Sequence, residues 1–182
     1  MKKFLLFSAC VLGLAACGGG SDAESDPNVL MHTDFESVDG WLPGEQNGGS
    51  LNREKAHSGK TSIKVDGTHE FSLSFSKPFG QLHESRPKKL KISAWTFVPD
   101  AQSLASIIVS ISDPSAPDAK PVLWEALDLG KESKPFGEWK EVSKVITVPA
   151  NVGPNNKLGI YMWRNSGTKA VYADDFKVTL AD

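Results

Sequence analysis

Val171-Tyr172-Ala173-Asp174-Asp175-Phe176-Lys177-Val178-Thr179-Leu180 has the composition of a β-strand. Tyr172, Asp174, Phe176, Val178 and Leu180 fall on one face if the period is two, with Lys177 and Thr179 on the other. The same alternation recurs upstream in Ile63/Val65, Phe71/Leu73/Phe75 and Leu90/Ile92/Ala94. Short runs of this kind, broken by Gly, Pro, Asn and Asp, predict strands near 29–36, 50–55, 60–66, 69–76, 88–98, 104–112, 121–129, 139–148, 157–164 and 169–180. No stretch keeps apolar residues at three-and-four spacing for ten residues without a breaker. Many short strands without intervening helices predict a single all-β domain over 29–182, an antiparallel sandwich or barrel. Asn165-Ser166-Gly167 reads as a hairpin turn between the last two strands, with Gly167 taking a positive φ.

The N-terminal end obeys different rules. Lys2 and Lys3 precede an apolar run, Phe4 to Leu14, too short to span a bilayer. Small residues follow, so 1–16 reads as a secretory signal. Leu14-Ala15-Ala16-Cys17 resembles the lipobox of bacterial lipoproteins. That resemblance implies cleavage before Cys17 and acylation of Cys17, giving membrane attachment through a lipid anchor. Gly18 rather than Asp after Cys17 implies the outer membrane, facing either periplasm or exterior. Residues 17–28, small, polar and acidic after the anchor, read as a tether.

Composition excludes several classes of function. The net charge of −2 becomes −4 once Lys2 and Lys3 leave with the signal, and no basic cluster offers phosphate contacts, so nucleic acid is no partner. Cys10 leaves with the signal and Cys17 is modified, which removes disulfides and thiolate metal sites. The four histidines lie singly along the chain. Gly-x-Ser-x-Gly, His-Glu-x-x-His and glycine-rich phosphate loops are missing. Glu125-Ala126-Leu127-Asp128 does not supply the two carboxylates of a glycosidase strand. The reading is non-catalytic.

Five ordered segments resemble carbohydrate-binding modules of families 4, 9 and 22. They are Asp34-Phe35-Glu36 with Gly40-Trp41; His57-Ser58-Gly59-Lys60-Thr61-Ser62-Ile63-Lys64-Val65; Lys91-Ile92-Ser93-Ala94-Trp95; Gly137-Glu138-Trp139-Lys140-Glu141-Val142; and Val171 to Val178. The resemblance implies that the domain is an all-β, single-domain antiparallel β-sandwich of jelly-roll type that binds poly- or oligosaccharide. It also implies a structural Ca2+ held by Glu36 and Asp174 or Asp175, with backbone carbonyls near Ser58 to Lys60. Independently of the family, Asp174 falls on the core side of its strand, where a carboxylate needs backbone N–H groups, a cation, or both. The other reading of these acids is that Asp174 caps a turn and Glu36 is solvated.

Sugar rings stack on aromatic faces while polar groups bond their hydroxyls. Trp41 and Trp139 occupy motif positions that pack the sandwich in the resembled modules. Trp95, Trp124, Tyr161 and Trp163 remain as candidate stacking residues, with Glu125, Arg164 and Asn165 as polar partners. The alternative is a structural or adhesion lipoprotein whose sandwich contacts another envelope protein.

Overall fold

The computed structural model describes residues 26–42 and 48–181. The signal segment, Cys17 and the tether as far as Ser25 lie outside the described residues. Eleven strands follow in order: β1 (Val29–Thr33), β2 (Trp41–Leu42), β3 (Leu51–Asn52), β4 (Ser62–Val65), β5 (Phe71–Pro78), β6 (Lys89–Phe97), β7 (Ser106–Ser112), β8 (Leu123–Asp128), β9 (Trp139–Thr147), β10 (Lys157–Trp163) and β11 (Val171–Leu180). Single helical turns, α1 (Phe79–Leu82) and α2 (Leu129–Glu132), end β5 and β8. Asp128 caps α2 by accepting the Gly130 N–H.

Two antiparallel sheets face each other. Sheet A runs β3-β4-β11-β6-β9, with β1 also pairing with β11; sheet B runs β2-β5-β10-β7-β8. Ten strands were expected, and the added β2 is the two-residue piece carrying Trp41. The core forms where the inward faces meet, from Ile63, Val65, Leu73, Phe75, Leu90, Ile92, Ile107, Val109, Leu158, Ile160, Phe176 and Val178, among others. Trp41 is fully buried there, edge-on to Phe35 at 5.0 Å and Phe176 at 5.1 Å. At one side the sheets are clasped by Lys144 of β9. Its Nζ reaches Glu125 Oε2 of β8 at 2.7 Å and donates to the Ala126 carbonyl at 2.9 Å.

Two local expectations change. Asp175 adopts φ 47°, and the β11–β6 register shifts between Asp174 and Lys177. This bulge inverts the alternation: Val171 and Ala173 point to the core before it, Phe176 and Val178 after it. Tyr172 and Asp174 therefore stand on the outer face of sheet A, not on the core side with Phe176. The Asn165-Ser166-Gly167 turn joins β10 of sheet B to β11 of sheet A, so it is a corner between sheets rather than a hairpin. Asn165 (φ 47°) and Ser166 (φ 67°) take the left-handed conformations there. Gly167 is needed for a different reason: a Cβ would lie 2.2 Å from the Leu104 carbonyl oxygen.

Candidate functional site

Each sheet carries aromatic side chains on its outer face, but the two faces differ. On sheet A, the register places Tyr172 of β11 beside Phe97 of β6 and Phe97 beside Trp139 of β9, with Asp174 beside Trp95 one pleat further on. The chain segment before β4 closes over these rings. His57 stacks on Trp95 at 3.9 Å and 10°, and meets Trp139 edge-on at 5.6 Å. The Lys55 ammonium sits 4.2 Å above the Phe97 ring. Tyr172 donates its hydroxyl proton to Glu54 Oε2 at 2.9 Å, and Lys64 pairs with Glu54 and Asp66. Trp95, expected in the sugar cleft, is thus taken up in seating this loop. Trp139, expected to pack the sandwich, is half-buried on the same outer surface.

Carboxylates fasten the loop. Asp174, fully buried, accepts the N–H groups of His57 at 2.8 Å and Ser58 at 3.1 Å on Oδ2, and that of Asp175 at 2.8 Å on Oδ1. Asp175 holds His57 Nδ1 at 2.5 Å and accepts the Ser58 hydroxyl at 2.6 Å. Glu36 Oε1 accepts the N–H groups of Lys60 and Thr61, each at 2.8 Å. Gly59 (φ +55°) is required between these grips, because a Cβ would lie 2.7 Å from Glu36 Oε1. Burial pushes the Asp174 carboxyl above the ordinary aspartate range against its three N–H donors, whereas the Lys60 N–H lowers Glu36.

Calcium needs six to eight oxygens converging on one point. Here Glu36 Oε1 and the oxygens of Asp174 and Asp175 are met by N–H and O–H donors. Ser58 and Lys60, expected to offer carbonyls, donate their backbone N–H groups to Asp174 and Glu36. Among the described residues, no three His, Cys, Asp or Glu side chains gather at metal-binding spacing. As arranged, these residues do not fit the ion. Asp174 draws on three backbone N–H groups, one of the sources of compensation its position calls for.

Sheet B presents its rings differently. Ile107, Val109, Ile111, Leu158, Ile160 and Met162 point into the core, so Tyr161 and Trp163 of β10 point outward. Register aligns Ser74, Tyr161, Ile108 and Ala126 across four strands, and Ser76, Gly159, Ser110 and Trp124 in the next row. Trp124 is 50% exposed, the most exposed Phe, Tyr or Trp ring among the described residues. Phe71, 38% exposed, meets Tyr161 edge-on at 5.9 Å. Trp163 Nε1 donates to Glu70 Oε1 at 3.4 Å. The result is a line of aromatic side chains with small serines and Gly159 between them. Such a surface offers flat apolar faces flanked by hydroxyls.

Three of the seven candidate residues therefore come together here: Trp124, Tyr161 and Trp163. Arg164 and Asn165 lie just past the end of β10; the Arg164 Nη1 donates to the Gly67 carbonyl at 3.3 Å and its backbone N–H to that of Glu70. Glu125 alternates with Trp124, points to the sandwich side and is spent on Lys144. Phe71 was missed because its spacing matches the core residues Leu73 and Phe75. A register shift between Tyr161 and Trp163, opposite that end of β5, turns it outward.

No family model matches the chain. Among solved structures it is similar to the CBM22-1 xylan-binding domain of Paenibacillus barcinonensis Xyn10C: TM-score 0.52, 15% identity, covering 84% of this chain and 94% of that one. It is also similar to the C-terminal family 22 carbohydrate-binding module of Clostridium thermocellum Xyn10B: TM-score 0.54, 14% identity, covering 85% and 94%. The chain has the jelly-roll fold of carbohydrate-binding modules. In sequence it is 28% identical over 161 residues to endo-1,4-beta-xylanase A of Thermotoga neapolitana, which spans 85% of this chain. The chain matches only 14% of that enzyme's length, whereas it matches nearly all of the binding modules.

Proposed function

We propose that the protein is a non-catalytic carbohydrate-binding lipoprotein that holds a β-linked glycan of xylan type on the outer face of sheet B. The observation that carries this reading is the placement of Trp124, Tyr161 and Trp163 on one exposed face with Ser74, Ser76, Ser110 and Gly159 between them. β8 and β10 are two strand spacings apart, about 10 Å, so Trp124 and Tyr161 can take separate rings of one extended chain. Stacking removes the C–H faces of the sugar from water, and the serines and Glu70 bond its hydroxyls directly or through water. The face is built on paired strands, so binding needs no rearrangement of backbone. Acylation at Cys17 would keep the domain, and the glycan with it, at the outer membrane.

The test is electrophoresis of residues 26–182 through gels containing xylan, β-glucan, mannan or alginate. Retardation by xylan or β-glucan, lost in Trp124→Ala, is expected. A folded sample that runs freely in every gel would overturn the reading and favour contact with another envelope protein. Metabolic labelling with a fatty acid, compared with Cys17→Ser, tests the anchor separately.

A further inference from the structure

The half of sheet A not covered by the 53–60 loop has a distinct chemistry. After the β11 bulge, Lys177 and Thr179 face outward, and so do Lys89, Lys91 and Ser93 of β6 and His32 of β1. Lys177 lies opposite both His32 and Ser93, and Lys91 lies opposite Thr179 and the exposed Val145. Lys91 and Lys177 are therefore diagonal neighbours on adjacent strands, an arrangement in which like charges repel. None of Lys88, Lys89, Lys91 and Lys177 has an ionic partner among the described residues.

This face runs into a hollow of about 400 Å³ at the end of β6 and β11. Its walls carry His83, Arg86, Lys88 and Lys89 and, among the described residues, no acidic side chain. Arg86 is preset: its Nη1 donates to the Val148 carbonyl at 3.1 Å and the Pro149 carbonyl at 3.3 Å, which leaves its other N–H groups for an anion. The chain arriving from Cys17 enters the fold beside this hollow. Asn28 accepts the Leu180 N–H at 2.8 Å, and Val29 pairs with Thr179. Nine residue steps separate Cys17 from Asp26. Whatever their conformation, they reach no further than about 30 Å.

We propose that this basic face and hollow seat against the anionic phosphate headgroups of the bilayer that holds the lipid anchor, an inference that rests on the Cys17 reading. Unpaired lysines beside the attachment point gain from a negatively charged surface and lose that gain to salt. Sheet A then lies toward the membrane, and the aromatic face of sheet B, on the opposite side of the sandwich, points away from it.

The experiment is co-sedimentation of the chain from residue 17 onward, with Cys17→Ser so that no lipid contributes. Vesicles of phosphatidylcholine alone are compared with vesicles containing equal parts phosphatidylglycerol. Partition onto the anionic vesicles is expected to be about tenfold higher and to vanish in about 0.5 M salt. Lys89→Glu/Lys91→Glu should abolish it, while Lys120→Glu/Lys134→Glu, with the same change in net charge at exposed positions elsewhere, should retain most of it. Inorganic phosphate at matched ionic strength should not displace the protein; displacement would mean a free-anion site and overturn the membrane assignment. Equal partition on both vesicles, or equal loss in both double variants, would also overturn it. Fatty-acid labelling of the precursor shows separately whether the anchor reading fails.

Discussion

Asp174 shows how one side chain can organise a surface. Its carboxylate is buried at an energetic cost, and three backbone N–H groups offset part of that cost while fixing the loop that covers Trp95. Asp174→Ala leaves those donors unpaired, and chemical denaturation should register a loss of about 2–4 kcal/mol. Asp66 behaves in the opposite sense. Burial raises its carboxyl, but hydrogen bonds from Thr68 and His69 outweigh burial and hold it well below the ordinary aspartate range. A depressed acid contributes stability above its unfolded pKa of about 3.9, and that contribution is lost as pH falls. Asp174, being raised, has the reverse sign: its ionisation costs stability, so acid relieves it. Stability measured by denaturation from pH 6 down to pH 3 should fall less steeply in Asp66→Asn than in the wild type. A steeper fall in the variant would contradict this assignment.

Among the elements, β11 separates what the sequence could convey from what it could not. Its existence and length are legible from alternation, because each side chain of a strand has only two faces to choose between. The Asp175 bulge is not legible, since an Asp-Asp pair carries no mark of a left-handed residue until the loop that Asp174 binds is in place. One slipped residue moved Tyr172 and Asp174 to the other side of the sheet. For β6 the alternation held throughout, and Trp95 does face away from Leu90, Ile92 and Ala94. What the sequence could not tell is which sheet each strand joins, and so whether an outward ring meets another ring or a covering loop. Glu125 failed for a related reason: its neighbour Trp124 faces out, and strict alternation sends Glu125 toward Lys144. The β10–β11 corner gives an element-scale prediction. Gly167→Ala drives a methyl into the Leu104 carbonyl and should cost about 1–3 kcal/mol in the same denaturation assay. A neutral result would mean that the corner moves freely.

For the whole molecule, the two sheets divide the work. Sheet A spends its aromatics on an internal clamp and leaves lysines exposed, while sheet B leaves Trp124 and Phe71 open to solvent beside the half-buried Tyr161. Because N–H donors already satisfy the clamp's carboxylates, thermal melts with and without a calcium chelator should superimpose. A melting temperature lowered by chelator and restored by calcium would place an ion among Glu36, Asp174 and Asp175 after all. Trp124→Ala/Tyr161→Ala should leave the melt nearly unchanged while weakening glycan binding about tenfold or more. The most direct test uses the five indole N–H resonances of the protein, each with its own surroundings. On titration with xylohexaose, the signals of Trp124 and Trp163 should move while those of Trp41, Trp95 and Trp139 stay in place. Shifts confined to Trp95 and Trp139 would put the glycan on the wrong sheet and contradict the account.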